Sequence, residues 1–181
     1  MNLVQPIRDK KKIEEMKTEL LRKNYRDYIL FLVGINTGLR VSDILKLKVA
    51  DVKEKTHIMI KEQKTGKSKR IFINNNLRLE LDKYIANLND DTYLFVSNKG
   101  ENSPISRRHA YRILKEVGDS IGLKEVGTHT MRKTFGYWHY QQYHDVALLQ
   151  ELFNHSAPSV TLKYIGINQD LMDESLKEFS L

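Results

Sequence analysis

The chain contains no cysteine. That absence excludes disulfides, thiolate zinc sites and a cysteine nucleophile, and it fits a reducing cytoplasm. Long hydrophobic runs are also lacking. The longest, Tyr28 to Ile35, is far too short to span a bilayer, and Met1 to Lys12 holds no apolar run that could act as a signal peptide. Neither a membrane partner nor glycosylation at Asn154-His155-Ser156 is therefore expected. Two familiar motifs fail on inspection. Gly66-Lys67-Ser68 looks like the end of a phosphate-binding P-loop, but Lys61 stands where its first glycine would have to be. His139 and His144 are five apart rather than four, and no Glu follows His139, so the pair does not make a zinc-protease helix. No carboxylate metal cluster is visible, and no metal or cofactor is expected.

What is present is an excess of positive charge. The chain has 181 residues, a length suited to a single domain with a proper core, with 40% hydrophobic and 29% charged residues. Lys plus Arg number 30 against 23 Asp plus Glu, a net +7 that favours a polyanionic partner, nucleic acid being the commonest. The charge is concentrated. Lys61, Lys64, Lys67, Lys69 and Arg70 stand against only Glu62 in one short stretch, and Arg107, Arg108, Arg112 and Lys115 fall within one helix. Such patches suit DNA phosphates and carry little sequence information. Lys61, Lys67, Lys69, Arg70, Arg107 and Arg108 are therefore candidate DNA contacts.

The periodicities predict an α+β chain that is mostly α-helical, with a small antiparallel three-stranded sheet. Ile13, Met16, Leu20 and Leu21 mark an amphipathic first helix, and Asp27 to Asn36 is apolar nearly all round, so it belongs at the centre of the core. Gly38 can close that helix in the left-handed conformation, and Ser42 can cap a short helix from Asp43 to Lys48, which puts Arg40 in the joint between the two. His57–Ile60 and Lys69–Ile73 flank Lys64-Thr65-Gly66-Lys67 as a hairpin, and Tyr93–Val96 is a third short strand. Leu77, Leu81, Tyr84, Ile85 and Leu88 form one helical stripe. Ser106 caps a helix with Ala110, Ile113, Leu114, Val117 and Ile121 on its core face. Thr128 caps the helix carrying His129 and Arg132. Further helices are predicted over Asp145–Phe153, into Tyr164, and from Asp170 to Phe179.

One constellation stands out. His129 and Arg132 are three apart, one helical turn on the same face. Asn154-His155-Ser156 follows, and Tyr164 comes nine residues after His155. A second arginine lies upstream in Thr37-Gly38-Leu39-Arg40-Val41-Ser42-Asp43. Singly, each has an ordinary structural reading; together they describe a phosphate site containing a tyrosine. Arginine's planar fork fits phosphate oxygens and stays charged at any working pH. Two arginines and a histidine donor can stabilise the charge of a phosphorane-like transition state. A tyrosine hydroxyl, with a pKa near ~10, needs a base or a strongly positive site to become a nucleophile.

In type and order these residues resemble the tyrosine recombinase (phage integrase) family, from about Tyr25 to Tyr164. The resemblance implies cutting and rejoining of double-stranded DNA through a 3′-phosphotyrosyl intermediate, without metal or ATP. It makes Tyr164 the nucleophile, Arg40 and Arg132 the clamp on the scissile phosphate, and Lys64 the general acid for the leaving 5′ oxygen. It further implies that His129 transfers a proton or binds phosphate, that His155 is a phosphate donor, and that Asp43 supports the site. Lys133 stands where the family usually has His, and Phe153-Asn154 where Leu-Gly is usual. Only about twenty-five residues precede the resemblance, so residues 1–181 are expected to form a single catalytic domain without the family's upstream core-binding domain. Residues 168–181 are expected to form an acidic tail helix, which in the family commonly docks on a neighbouring protomer, so a homo-oligomer on DNA is expected. Two alternatives stay open at this level: a catalytically silent DNA-binding relic of the same fold, and a topoisomerase with the same tyrosine chemistry.

Overall fold

A computed structural model describes residues 4–62, 66–177, 179 and 180. At its centre is α2 (Tyr25–Thr37), whose Ile29, Leu30, Phe31 and Val33 are fully buried. A helix apolar on every side needs cover on every side. Here α1 (Lys10–Lys23), α4 (Asn75–Ile85) and α6 (Thr130–Tyr143) provide it. Asn24 makes the α1–α2 joint: it ends the first helix, and its side chain accepts from the Arg26 amide to start the second. Gly34 lets α6 approach closely, because a Cβ there would lie 2.4 Å from the Met131 sulfur.

Most predicted elements are present with shifted ends. The short α3 spans Val41–Ile44, with Arg40 itself at the N-cap and no side-chain cap bond, so Ser42 does not cap it. Leu21 lies on the solvent side of α1, at 49% exposure, rather than on the buried stripe. Ser106 does cap α5 (Arg107–Ser120), accepting from the His109 amide. Thr128 does not cap α6: His129 occupies the N-cap, and the Thr130 hydroxyl instead accepts from the Gly127 amide at 2.9 Å. Beyond α6 come α7 (Val146–Phe153), α8 (Pro158–Ile165) and α9 (Ile167–Lys177). The last begins three residues earlier than predicted, because Gly166 (φ 83°) turns the chain sharply after α8.

Among the described residues the sheet has two strands rather than three. Antiparallel β1 (His57–Lys61) and β2 (Ser68–Phe72) pair His57 with Phe72 and Lys61 with Ser68. The Tyr93–Val96 segment makes only isolated bridges, Lys48 with Tyr93 and Val96 with Pro104. Its amides and carbonyls are divided between Leu47 on one side and Ile105 on the other, so it never forms a ladder with the hairpin. The hairpin turn holding Lys64 falls outside the described residues.

Among the described residues the interior comprises two apolar clusters. The larger surrounds α2; the smaller joins Leu149, Phe153, Ile165 and Ile167, with Phe135 and Tyr164 packed against it. They meet along α6. There Gly136 admits Phe153 and Ile165, which a Cβ would meet at 2.7 and 2.6 Å. The tail helix α9 buries only Ile167 of its own length. Its Leu171, Met172 and Leu176 remain 60%, 52% and 63% exposed, and Phe179 beyond it 63%. Among the described residues no helix is long and apolar enough to cross a membrane.

Candidate active site

Arg132 leaves the first turn of α6 and is 3% exposed. Burying a guanidinium requires partners, and two backbone carbonyls supply them. Nη1 donates to Gly38 O, and Nη2 donates to Phe153 O at 2.8 Å. The Phe153 ring lies under the guanidinium carbon at 4.1 Å. Both carbonyls are aimed by left-handed turns. Gly38 (φ 63°) ends α2, and a Cβ there would collide with the Phe135 ring at 2.5 Å. Asn154 (φ 55°) ends α7. Asparagine tolerates that conformation better than most side chains, so the Phe153-Asn154 departure from Leu-Gly leaves the turn intact. Burial brings the Arg132 pKa down to about 10, which keeps it charged at neutral pH.

Tyr164 sits on the last turn of α8, half-buried, its ring edge-on to Phe153 and His155 with centroids 5.7 and 5.2 Å away. Its hydroxyl lies 3.1 Å from His129 Nδ1. Burial raises the phenol's pKa, while the charges of Arg132 and Arg40 pull it the other way. His129 is shifted down, first by burial and then by the cations Lys133, Arg132, Arg107 and Arg40. An imidazole protonated on Nε2 would present Nδ1 as acceptor to the Tyr164 hydroxyl, a geometry in which a histidine can take a proton from a phenol. His155 is held differently: its Nδ1 lies 3.0 Å from Thr161 Oγ1, which fixes the ring beside Tyr164.

Arg40, at the α2–α3 joint, makes an ion pair with Glu62 at 2.9 Å and retains 16% side-chain exposure. Asp43 is buried at 3% and contributes to the field at Arg132, a placement suited to support. Arg40, His129, Arg132, His155 and Tyr164 are thus gathered around one site. Lys64 lies outside the described residues.

The predicted DNA contacts divide. Lys61, Lys67, Arg70, Arg107 and Arg108 are exposed. Lys69 is not a surface contact: its side chain is 11% exposed, 3.0 Å from Glu62 and donating to Leu152 O. Register decides this, since Lys69 pairs with Ile60 on the inward face of the hairpin while Arg70 points out. Three other contributors escape a reading by residue type. Glu62 is 1% exposed despite its charge; the inward alternation Ile58, Ile60, Glu62 is the signal that could have found it. Thr161 is fully buried beneath His155. Lys133 donates to Val4 O at 2.8 Å and lies 5.3 Å from the centre of the Tyr164 ring.

This fold is that of tyrosine recombinase catalytic domains. Residues 8–170 match the phage integrase family, and the chain belongs to it. The probable integrase/recombinase YoeC of Bacillus subtilis is 50% identical over 179 residues, covering 99% of this chain and 98% of that protein. The tyrosine recombinase XerA of Pyrococcus furiosus is 33% identical over 174 residues, 93% of this chain but 60% of XerA. In fold, the chain is similar to the site-specific recombinase XerH solved with its difH substrate after cleavage. That match has TM-score 0.72 and 21% identity, and covers 97% of this chain and 53% of XerH. The chain thus spans nearly all of one relative and little more than half of the others. Site-specific recombinase is the function that the family and these relatives support.

Proposed function

We propose that this chain cuts and rejoins double-stranded DNA at specific sites, in the cytoplasm, with Tyr164 as its nucleophile. The observation that carries the reading is the Tyr164 hydroxyl 3.1 Å from His129 Nδ1, beside the buried cation Arg132. Tyr164 Oη attacks the phosphorus and its proton passes to His129. Arg40 and Arg132, with His155, take up the growing negative charge on the non-bridging oxygens. The bond to the 5′ oxygen breaks, and Lys64 supplies the proton that oxygen needs. The phosphodiester is exchanged for a 3′-phosphotyrosine rather than hydrolysed, so a second 5′ hydroxyl can reverse the step on a new strand. The exposed basic side chains of the hairpin and of α5 hold the duplex through its phosphates. The test is covalent capture: nicked duplexes with randomised arms are incubated with the protein, and protein–DNA adducts are isolated and mapped. Adducts on the Tyr164 peptide support the reading; their absence, or their mapping elsewhere, removes it.

The histidine sets the pH dependence. The pKa of His129 in the free protein is depressed, so it is neutral at pH 7 and becomes protonated only below its ordinary value of ~6.5. Protonation removes the acceptor. Adduct formation at sub-saturating DNA, which reports the free enzyme, should therefore stay level from pH 8 to near neutrality. It should fall along an acid limb centred below ~6.5. His129→Gln should abolish that limb. An inflection above the ordinary histidine value would show that another group governs it.

The tail is read as an assembly device. The apolar side chains Leu171, Met172 and Leu176 on α9, with Phe179 beyond it, are left uncovered by the chain's own core, and a second copy of this chain on the same DNA is proposed to cover them. Deleting the residues after Ile167 should leave a folded protein that still forms the adduct on a single site but no longer exchanges strands between two. Loss of the cooperative melting transition on truncation would contradict this.

A further inference from the structure

One buried carboxylate takes no part in the proposed strand-exchange chemistry. Among the described residues the buried acids are Asp27, Asp43 and Glu62. Asp27 is taken by Arg26 at 2.7 Å, away from the site, and Asp43 is already placed as support. Glu62 stands between two cations: one oxygen, Oε1, lies 2.9 Å from Arg40 Nη1 and 3.0 Å from Lys69 Nζ. An acid this deep in a basic pocket needs such partners to stay ionised. The partners are equally constrained, because Arg40, Lys69 and Arg132 would otherwise repel one another in a poorly solvated space.

The contacts close into a ring. Arg40 pairs with Glu62, Glu62 with Lys69, and Lys69 donates to the Leu152 carbonyl at the end of α7. The next carbonyl, Phe153 O, accepts from Arg132, which also binds Gly38 O, two residues before Arg40. The two arginines assigned to the phosphate are thus tied to one frame through the hairpin and the end of α7. Glu62 contacts one amino group of Arg40, which leaves the Nη2–Nε edge for a bidentate grip on phosphate.

We propose that Glu62 is a positioning residue for Arg40, braced by Lys69, and that this pair sets where the Arg40 fork meets the scissile phosphate. The inference rests on the proposed recombinase chemistry and extends it to two residues outside the nucleophile–clamp–acid set. Lys69 belongs to the frame of the site and not to the DNA-contacting surface.

The test uses the full chain and a nicked duplex selected by covalent capture on the unaltered protein. Glu62→Gln keeps the shape of the side chain and removes its charge. Displacing a reacting group by about 1 Å costs about a hundredfold, and a fall in the adduct rate of that order is expected. Removing one partner of a buried pair can also unfold the protein, so Glu62→Leu with Lys69→Leu is made in parallel. That double variant replaces the pair with apolar side chains, a change buried ion pairs commonly survive. It should melt as a cooperative unit and show the same rate deficit. Substrate chemistry then separates positioning from stability. A 5′-bridging phosphorothiolate, whose sulfur leaves without a proton, should not restore either variant, since the defect lies at the non-bridging oxygens. A methylphosphonate at the scissile position, which removes charge from those oxygens, should bring variant and parent within about threefold of each other. Rates for the folded double variant within threefold of the parent on the ordinary diester, or rescue by the phosphorothiolate, would overturn the role assigned to Glu62. Absence of an adduct with the unaltered protein would instead overturn the recombinase reading and this inference with it.

Discussion

Tyr164→Phe should abolish covalent attachment to DNA while leaving the fold and DNA binding in place. The substitution removes one oxygen. The ring keeps its edge-on contacts with Phe153 and His155, at 5.7 and 5.2 Å between centroids, so the packing of α8 is preserved. What disappears is the hydroxyl held 3.1 Å from His129 Nδ1, and the described chain has no thiol to replace it. Other tyrosines are close in sequence but poorly placed. Tyr143 is 59% exposed and packs on His139, and Tyr140 packs on His144, away from Arg132. Adduct on a denaturing gel should fall to background, with binding to intact duplex unchanged within twofold. Adduct formation by the Phe variant, mapped to Tyr140 or Tyr143, would show that the nucleophile has been misassigned.

Arg132→Lys should be the next most damaging change. Arg132 has two duties that a lysine cannot perform together. Its guanidinium spans Gly38 O and Phe153 O, fixing the ends of α2 and α7 against α6, and it carries a charge toward the Tyr164 hydroxyl. An ammonium can satisfy one carbonyl but has no planar fork to reach both while facing a phosphate. Losing a preorganised donor to a developing oxyanion costs on the order of 3 kcal/mol, or at least about a hundredfold in rate. A buried carbonyl left without a donor costs about 1–3 kcal/mol of stability. For a chain of this length that lowers Tm by about 2–4 °C per kcal/mol. Single-turnover cleavage and thermal melting measured on the same preparation separate the two duties. A cleavage rate within threefold of the parent would remove Arg132 from the clamp. An unchanged Tm with the rate lost would show that lysine satisfies both carbonyls after all.

Much of this protein was legible in its residues because much of it is local. The starts of α5 and α7 depend on side chains that reach three residues ahead, Ser106 to the His109 amide and Asp145 to the Leu148 amide. The end of α2 depends on a glycine that takes a positive φ without penalty. The types and order of Arg40, His129, Arg132, His155 and Tyr164 carried the resemblance to the phage integrase family, to which the chain belongs. Tertiary structure decided which groups those residues would meet. Whether Tyr93–Val96 joins the sheet depends on where Leu47 and Ile105 lie, and they lie on opposite sides of it. Lys69 and Arg70 have the same charge and adjacent numbers, yet strand register turns one into the site and the other toward solvent. Glu62 looked like a lone acid in a basic hairpin until the fold brought Arg40 and Lys69 to a single one of its oxygens. Caps and periodicities are settled within a turn or two of chain. Ion pairs between a helix joint and a hairpin form only once the loop between them has closed, and residue type by itself does not specify which partners that closure selects.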